Sequence, residues 1–566
     1  MQNYSTILEC FWNSPDIGTF RNPADNWQRL EAMDSQKIRQ FVLDLTFGLI
    51  NAGLEKGDRI AIWAPNCILW FMMDMAALSA GGIVVPIHQT TTQEGAQKQT
   101  AHAQCKMLVT IGTNIQAIQE FKKIGIEKII LLDSTYLVFT ADPSCVTLGT
   151  LITDACLRYP GTHIENHLTY MSTLPLVSDY DPATIIYTSG TTGEGKGCVH
   201  THGDIAKNLK MIGLLNLVQK NERYVSFLPL SHIFERWVQW FLFLSGAYIY
   251  HCDKTTPANL MEAFQLHQPT LICTVPSLLE KIHAGKGLSP IKRTLLGLAF
   301  RAYRKNWPTI FKNILDRTVI QTIKKKLGGS VRTLLVGGAP IRTEIIKDFN
   351  AIGLDSRVGF GMSEAGVITL DSDGTNPGAA GKPLSGVEIK IIPTDEWPQT
   401  HKNPYIEGEI LVKSPGLMKE YYRNPEATGK ILQDNWLATG DIGYLDNKGI
   451  LRIIGRVKDM IVLGNGEKVF PLPIEEKILQ YPEIQQVCII GNSRNFVKAL
   501  IVPQNQHTRK EDFDNILQKV NSRLEKWEKI YEFEIIPEPF TIEAGLLTPT
   551  LKLRRNAISL RYGSTL

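Results

Sequence analysis

The stretch TSGTTGEGKG, residues 188–197, concentrates residue types that bind phosphate. It contains three Thr, one Ser, four Gly and one Lys within ten residues. Glycines let backbone N–H groups approach an anion closely, hydroxyls add donors, and Lys196 supplies a positive charge. Gly190 to Lys196 also fits seven positions of the P-loop pattern, but Gly197 stands where a hydroxyl should hold Mg²⁺. The stretch predicts a phosphate loop of undecided class.

The segments on either side of this loop bear on its class. DPATIIY before it predicts a buried strand, and CVHTHGD after Gly197 reads as further strand. A P-loop lysine would instead lead directly into a helix. A loop between two strands therefore disfavours a P-loop NTPase, and Gly197 is expected to let the chain turn close to the phosphates. On the loop alone, a Gly/Thr turn without function is an equally open interpretation.

Five further motifs follow the loop in a recognisable order. They are GGAP at 337–340, GFGMSE at 359–364, TGD at 439–441, GRVKDMI at 455–461 and TPTLKLRR at 548–555. Together with the loop they resemble the adenylate-forming enzymes, which include acyl-CoA synthetases, firefly-type luciferases and peptide-synthetase adenylation domains. The resemblance covers nearly the whole chain. It departs at Gly195, where many members carry Pro.

The resemblance implies an ATP site spread over these motifs. The implied ATP-binding residues are Thr188, Ser189, Gly190, Thr191, Thr192, Gly193, Lys196, Gly338, Ala339, Gly359, Phe360, Gly361, Ser363, Asp441 and Arg456. The loop would hold the β- and γ-phosphates, Phe360 and Gly338 would contact adenine, and Asp441 would accept the ribose hydroxyls. Glu364 is implied as the Mg²⁺ ligand, because Mg²⁺ prefers hard oxygen donors.

Three residues are implied in the reaction itself, namely Lys552, Glu364 and His232. Lys552 occupies the lysine position of the last motif, although Arg554 and Arg555 compete on composition. A cation there would position two anionic reactants and stabilise developing charge. His232 is expected at the entrance of the acyl pocket. Lys458 and Asp459 are implied as the hinge of a mobile C-terminal domain.

The wider pattern predicts an α/β fold. Strand-like runs at 59–65, 128–133, 270–276 and 332–338 alternate with helical patterns such as 35–54. Closely spaced strands from about residue 385 predict a small antiparallel β unit. We expect a large N-terminal domain of packed α/β sheets over 1–455 and a small α+β domain over 460–566. The resemblance further implies that a hinge at 456–459 makes the small domain mobile and that its loop 463–471 would meet pantetheine.

Two segments point to the substrate. FLPLSHIFER at 227–236 and VLGNGEKVFPLPIEE at 462–476 resemble the long-chain fatty acyl-CoA synthetase branch. The implied reaction converts a long-chain fatty acid, ATP and coenzyme A to acyl-CoA, AMP and diphosphate through acyl-AMP. A ligase that loads acyl-AMP onto a carrier protein is the main alternative, and a luciferase-like oxygenase is another. Trp237, Trp240 and Phe241 could line the acyl path, but core packing is favoured for each.

Composition describes a globular enzyme, with 43% hydrophobic and 20% charged residues and a net charge of +4. This charge gives no case for nucleic acid. Nine cysteines without a C-x-x-C pair favour a reducing compartment, and the N-terminus shows no secretory signal, so a cytoplasmic location is expected. Charged and turn residues interrupt the apolar run 68–87, and this interruption predicts a helix, a turn and a strand rather than one membrane-spanning helix.

The segment 301–332 is strongly basic, with nine Lys or Arg and one acidic residue. We expect it to make peripheral contact with the inner face of a membrane.

Overall fold

The structure is a computed structural model of the chain. It describes residues 4–14, 17–20, 35–112, 118–132, 144–158, 174–188, 195–252, 255–285, 287–394, 404–481, 483–492, 494–504, 508–542, 544–548 and 552–563. Strands and helices are numbered separately along these segments.

The strands are β1 Thr19–Phe20, β2 Arg59–Trp63, β3 Ile83–Pro86, β4 Cys105–Thr110, β5 Lys128–Leu131, β6 Cys145–Thr147, β7 Pro182–Tyr187, β8 Gly197–Thr201, β9 Arg223–Ser226, β10 Tyr248–His251, β11 Leu271–Thr274, β12 Thr333–Val336, β13 Asp355–Met362, β14 Gly366–Leu370, β15 Lys382–Pro383, β16 Glu388–Ile392, β17 Gly408–Lys413, β18 Glu420–Tyr421, β19 Leu432–Gln433, β20 Trp436–Leu445, β21 Leu451–Arg456, β22 Ile461–Val462, β23 Lys468–Val469, β24 Ile484–Ile490, β25 Val497–Pro503 and β26 Ile530–Ile535.

The helices are α1 Ile7–Asn13, α2 Ser35–Asn51, α3 Ile68–Ser79, α4 Gln93–Ala103, α5 Ile118–Lys123, α6 Leu148–Arg158, α7 His202–Gly213, α8 Ile233–Leu244, α9 Pro257–His267, α10 Pro276–His283, α11 Pro290–Arg304, α12 Thr309–Leu315, α13 Gln321–Lys326, α14 Thr343–Ala351, α15 Pro425–Ile431, α16 Pro471–Ile478, α17 Lys510–Asn521 and α18 Arg555–Tyr562. A π-helical turn, Asp316–Ile320, joins α12 to α13.

Two eight-stranded sheets form the larger part of the molecule. The first has the order β18-β8-β7-β3-β2-β4-β5-β6, and the second has the order β1-β10-β9-β11-β12-β13-β14-β15. Neighbouring strands are parallel from β7 to β6 and from β1 to β13, whereas β8, β18, β14 and β15 pair antiparallel. Parallel strands require crossover connections, which the helices supply. The predicted α/β architecture is confirmed.

Helix α3 is buried at every residue and shares one apolar core with β2 and β3 of the first sheet and β9 and β10 of the second. The predicted helix, turn and strand of the 68–87 run are confirmed, and Gly81 makes the turn with φ +78°. Asp74 is buried in α3 and accepts hydrogen bonds from Arg236 Nε at 3.0 Å and Trp240 Nε1 at 3.2 Å. This ion pair joins α3 to α8, because a buried carboxylate requires such a partner.

The chain beyond residue 385 changes character as expected. β16, β17, β20, β19 and β21 form a five-stranded antiparallel sheet. After β21 a 3₁₀ turn, Val457–Asp459, leads into a smaller unit that contains β24, β25 and β26 with helices α16, α17 and α18. This unit has its own apolar core around Ile474, Val487 and Phe513. A large N-terminal domain with a small β unit and a smaller C-terminal domain are therefore observed.

Within the described segments, no helix combines the length and the apolar character that a membrane crossing requires.

Candidate active site

The phosphate loop connects two antiparallel strands, β7 and β8, as predicted. Its two ends are held together where Thr188 N donates to Lys196 O at 2.9 Å and Thr188 Oγ1 donates to the same oxygen at 3.3 Å. The predicted residues Ser189, Gly190, Thr191, Thr192 and Gly193 lie outside the described residues. Because no helix starts at Lys196, the strand-to-helix geometry of a P-loop NTPase is absent from the described flanks.

Glycines at the end of the loop are required by close packing. A Cβ on Gly195 would lie 2.6 Å from Thr188 O, and a Cβ on Gly197 would lie 2.6 Å from Ile185 Cγ2. Gly197 begins β8 and faces the side chain of the paired strand. The structure thus gives another reason for Gly197 than an approach to phosphate, namely that β7 and β8 leave no room for a side chain there.

Glu364 is buried at 9% exposure in the turn between β13 and β14. Tyr421 Oη donates to Glu364 Oε1 at 2.7 Å, and Met418 N donates to the backbone oxygen of Glu364 at 2.7 Å. Lys196 Nζ lies 4.9 Å from the centre of the Tyr421 ring. Burial and the neighbouring Glu364 carboxylate raise the pKa of Tyr421, so this hydroxyl stays a donor. Tyr421 therefore connects the predicted metal ligand to the predicted phosphate lysine.

Tyr421 is not among the residues predicted from the sequence. It lies in β18, which pairs with β8 so that Tyr421 stands opposite Cys198. The segment EYYRNPEAT contains no spacing that distinguishes Tyr421 from Tyr422. Tyr422 Oη instead donates to Ala103 O at 3.4 Å, away from Glu364. Only the pairing of β18 with β8 shows which of the two tyrosines contacts Glu364.

Asp441 and Arg456 stand opposite each other on β20 and β21. Arg456 Nε donates to Asp441 Oδ1 at 2.5 Å, and Asp441 is 4% exposed. The Asp441 carboxylate raises the pKa of Arg456, which keeps the guanidinium charged. Asp441 N also donates to Thr439 Oγ1 at 3.1 Å, so the TGD motif orients its own carboxylate. Asp441 thus provides a carboxylate acceptor of fixed orientation, and Arg456 provides a positive charge beside it.

Lys552 lies near these groups although it belongs to the C-terminal part of the chain. Its side chain is exposed to the cleft, but the surrounding protein dehydrates it and lowers its pKa, and the positive charge of Arg456 acts in the same direction. The carboxylates of Asp441, Asp459 and Glu364 oppose this effect. Groups predicted from separate motifs are thus within electrostatic reach of one ammonium group.

The competing arginines point elsewhere. Arg555 Nη1 and Nη2 donate to the two carboxylate oxygens of Glu475 at 2.6 and 3.0 Å inside the C-terminal unit. Arg554 Nη1 donates to Gly545 O at 3.4 Å. Because both guanidinium groups are engaged within their own unit, the geometry favours Lys552 over either arginine as the cation of the cleft.

His232 caps the N-terminus of α8, where its Nδ1 accepts from Phe234 N at 3.3 Å. Burial lowers the pKa of His232 to about 4, with further lowering by the charges of Lys552 and His88. His232 is therefore neutral near pH 7 and lies on the Lys552 side of the cleft. His88, which carries no sequence signal of its own, has a buried Nε2 without a hydrogen-bond partner among the described residues.

The predicted adenine-binding residues lie at the ends of adjacent strands. Gly338 and Ala339 follow β12, and Gly338 has φ +84°, which favours glycine. Phe360 and its flanking glycines Gly359 and Gly361 lie in β13, next to a bulge. A Cβ on Gly361 would collide with the backbone oxygen of Gly366. The backbone oxygen of Ser363 is hydrogen-bonded to His200 Nε2 at 2.6 Å.

The remaining predicted residues fall into two groups. Lys458 and Asp459 lie in the 3₁₀ turn that leads from β21 to the C-terminal unit. Trp237 and Trp240 are each 1% exposed, and Trp240 binds Asp74, so core packing accounts for both side chains. Phe241 is also buried in that core. Across the described residues, no three His, Cys, Asp or Glu side chains cluster as a metal site.

Comparison with known proteins identifies the family of the chain. Residues 36–422 match the family described as AMP-binding enzyme, and residues 458–559 match the AMP-binding enzyme C-terminal domain. Among solved structures, ATP-bound MatB from Rhodopseudomonas palustris is similar with a TM-score of 0.76 at 20% identity, covering 99% of each chain. At this identity the likeness concerns the fold.

Curated relatives cover most of the chain. Long chain acyl-CoA synthetase 7, peroxisomal, of Arabidopsis thaliana is 30% identical, covering 90% of this chain and 77% of the relative. Long-chain-fatty-acid--CoA ligase FadD15 of Mycobacterium bovis is 27% identical, covering 91% and 88%. Long-chain-fatty-acid--[acyl-carrier-protein] ligase AEE15, chloroplastic, of Arabidopsis thaliana is 27% identical, covering 93% and 81%. The chain therefore belongs to the AMP-binding enzyme family, in the long-chain acyl-CoA synthetase branch of the adenylate-forming superfamily.

Proposed function

We propose that this protein is an AMP-forming long-chain fatty acid–CoA ligase. The observation that carries the proposal is that Glu364, Asp441 and Arg456, which belong to three other motifs, all act electrostatically on Lys552. Such a set can hold a nucleotide and place a cation at its α-phosphate. The long-chain acyl-CoA synthetases and ligases among the relatives support the choice of fatty acid and coenzyme A as substrates.

In the first step a fatty carboxylate oxygen attacks the α-phosphorus of ATP. A bond forms between these atoms, the bond to the bridging oxygen breaks, and diphosphate leaves with the bonding electrons. Asp441 would hold the ribose hydroxyls, and Lys196 and the loop would hold the leaving diphosphate. Lys552 would contact both the carboxylate and the α-phosphate, which lowers their repulsion and stabilises the charge that develops.

The residues present fit a Mg²⁺ ion that is shared with ATP. Tyr421 occupies one oxygen of the buried Glu364 carboxylate and orients the group, while Oε2 has no hydrogen bond from any described residue. One carboxylate with substrate phosphates and water is a usual set for Mg²⁺. When bound, the ion neutralises phosphate charge. Glu364 would be its protein ligand.

In the second step the coenzyme A sulfur attacks the acyl carbon of acyl-AMP. A C–S bond forms, the C–O bond breaks so that AMP leaves with its electrons, and the thiol proton passes to water. We propose that residues 460–566 turn about Lys458 and Asp459 relative to residues 1–455, withdrawing Lys552 and bringing loop 463–471 to the pantetheine. Two reactions in one cleft require such a rearrangement.

A carrier protein is the second candidate for the thiol acceptor. The similarity to an acyl-carrier-protein ligase supports it, since both acceptors present a pantetheine thiol. The basic segment 301–332 supports, in addition, a peripheral contact with the membrane from which fatty acid would be taken.

The test is to supply saturated fatty acids of increasing length with ATP and either free coenzyme A or a pantetheinylated carrier protein. We expect AMP, diphosphate and acyl-CoA, with the highest kcat/KM for long chains. Diphosphate release without conversion of free coenzyme A, together with carrier acylation, would support the second candidate. ADP as the product would overturn both.

A further inference from the structure

Helices α11 and α12–α13 form an antiparallel hairpin on the N-terminal domain. The chain reverses at residues 305–308, and Asn306 there adopts φ +49°. At the other end, Lys326 Nζ donates to Gly287 O at 3.2 Å, which brings the end of the second arm to the start of the first. The hairpin is anchored on α14, where Asp348 pairs with Arg304 at 2.8 Å. Its turn and the start of α12 are termed the hairpin tip, residues 305–314.

The hairpin tip presents large apolar side chains to solvent. Ile310, Phe311 and Ile314 are 71%, 53% and 57% exposed, and their spacing puts them on one side of α12. The half-buried Trp307 supports them, with its ring centre 6.4 Å from that of Phe311. Farther along the same arm Leu315, Val319 and Ile320 are buried in the core. The fold therefore covers the apolar side chains at the end of this arm and leaves those near its start in solvent.

Cations surround this apolar surface without acidic partners. Arg301, Lys305, Lys312 and Arg317 form no ion pair with a carboxylate in the described part of the chain, and Lys312 Nζ instead donates to Asn306 Oδ1 at 2.8 Å. Asp316 is the one acidic residue between residues 301 and 332. Its carboxylate accepts from Tyr303 Oη at 3.5 Å and Gln321 Nε2 at 3.0 Å. The surface is thus positive around an apolar centre.

We propose that the hairpin tip docks on an anionic phospholipid bilayer. Ile310, Phe311 and Ile314 would enter the boundary between headgroups and acyl chains, Trp307 would lie at headgroup level, and the four cations would face lipid phosphates. Charge complementarity favours this occupant over a second copy of the chain, because two such tips would repel each other. This inference rests on the membrane contact proposed above for 301–332 and names its surface and lipid class, and its test by lipid binding does not depend on the ligase reaction.

The experiment measures cosedimentation of the full-length protein with vesicles, in the absence of ATP and coenzyme A. Vesicles of phosphatidylcholine alone are compared with vesicles that also contain phosphatidylglycerol. We expect binding to the anionic vesicles that weakens with salt. Phe311→Ser/Ile314→Ser should reduce it at least tenfold, since two anchors are removed. Ile406→Ser, at an equally exposed apolar residue elsewhere, is the matched control and should bind normally.

A second pair of variants tests the charges. Arg301→Gln/Lys305→Gln/Arg317→Gln should weaken binding by about fivefold for each cation removed. Lys519→Gln/Arg523→Gln/Lys526→Gln removes as many exposed cations from the C-terminal unit and should have little effect. Since every replaced side chain is largely in solvent, thermal unfolding should stay unchanged in all variants. Equal binding by tip and control variants would overturn the proposal, as would a lipid-free dimer that the Phe311→Ser/Ile314→Ser variant abolishes.

Discussion

Tyr421 Oη donates a 2.7 Å hydrogen bond to Glu364 Oε1, and the face of the same ring lies 4.9 Å from Lys196 Nζ. One tyrosine thus contacts both the proposed Mg²⁺ ligand and the proposed phosphate lysine. A hydrogen bond to a buried carboxylate fixes its orientation, and a cation over a ring face has a preferred position. We therefore propose that Tyr421 positions both Glu364 and Lys196 for the binding of metal and phosphate.

Tyr421→Phe should raise the Mg²⁺ concentration required for acyl-AMP formation. The variant retains the ring beneath Lys196 but loses a charge-assisted hydrogen bond, which contributes about 1.5–3 kcal/mol. The measurement is fatty-acid-dependent exchange of labelled diphosphate into ATP as Mg²⁺ is varied. Tyr422→Phe is the control, because its hydroxyl contacts Ala103 instead. If both variants kept the wild-type Mg²⁺ dependence, Tyr421 would have no positioning role.

Glu364→Gln should depress adenylation and raise the Mg²⁺ requirement further than Tyr421→Phe. A neutral amide is a poorer ligand for a hard cation than a carboxylate. The same exchange assay applies, with AMP binding measured in parallel by calorimetry. We expect AMP affinity to be nearly unchanged. An unaltered Mg²⁺ titration would remove Glu364 from the metal site.

Lys552→Ala should stop acyl-AMP formation and spare thioester formation from supplied acyl-AMP. Loss of one cation at the α-phosphate is expected to cost on the order of 3–4 kcal/mol in the first step. The two half-reactions are assayed separately. Arg554→Ala serves as the control, since its guanidinium contacts Gly545 within the C-terminal unit. An equal loss in both half-reactions would contradict the proposed division of labour.

The lowered pKa of Lys552 predicts a pH limit for adenylation. Dehydration by the surrounding protein and the charge of Arg456 favour the neutral amine, so the pKa of the Lys552 ammonium lies below the ordinary value of 10.5. Since the cation is the proposed active form, adenylation should fall as pH rises through this lowered pKa. Lys552→Arg should move that fall to higher pH, because the guanidinium remains charged. If adenylation by Lys552→Arg fell at the same pH as in the wild type, the titrating group would not be Lys552.

Gly197→Ser should destabilise the protein and should not create nucleotide hydrolysis. The new Cβ would lie 2.6 Å from Ile185 Cγ2, and overpacking of this kind costs about 1–3 kcal/mol. Thermal unfolding measures the change, with Gly429→Ser as control because a Cβ there meets no atom within 4 Å. A Gly197→Ser variant that gained ATP hydrolysis to ADP would revive the P-loop interpretation.

Lys196→Ala should weaken the use of ATP and leave AMP affinity almost unchanged, because the loop is proposed to hold the leaving diphosphate. ATP labelled at the α-phosphate should yield labelled AMP with the wild-type enzyme. Steady-state KM for ATP and the Kd for AMP provide the comparison. Equal weakening of both nucleotides would place Lys196 at the adenosine half instead.

The sequence by itself determined the local elements and was sufficient to predict the nucleotide chemistry. Glycines, hydroxyls and lysine at fixed spacing indicate phosphate binding, and alternating strand and helix patterns indicate parallel sheets, because both signals depend on neighbouring residues. Local signals also distinguish the strand-to-strand loop from a P-loop, since the residues that follow Lys196 favour a strand over a helix. The turn in the 68–87 run can be predicted for the same reason, because Gly81 and Pro86 interrupt regular structure through their own backbone conformation.

The tertiary structure alone decided which distant residues meet. Tyr421 reaches Glu364 across 57 residues because β18 pairs with β8, and no local pattern encodes that pairing. Asp74 and Arg236, 162 residues apart, become a buried pair only when α3 packs against α8. The motif position already favoured Lys552 over Arg555, but only the structure shows that Arg555 is bonded to Glu475 inside the C-terminal unit. Such contacts depend on strand register and packing between elements, which are properties of the whole fold rather than of any segment.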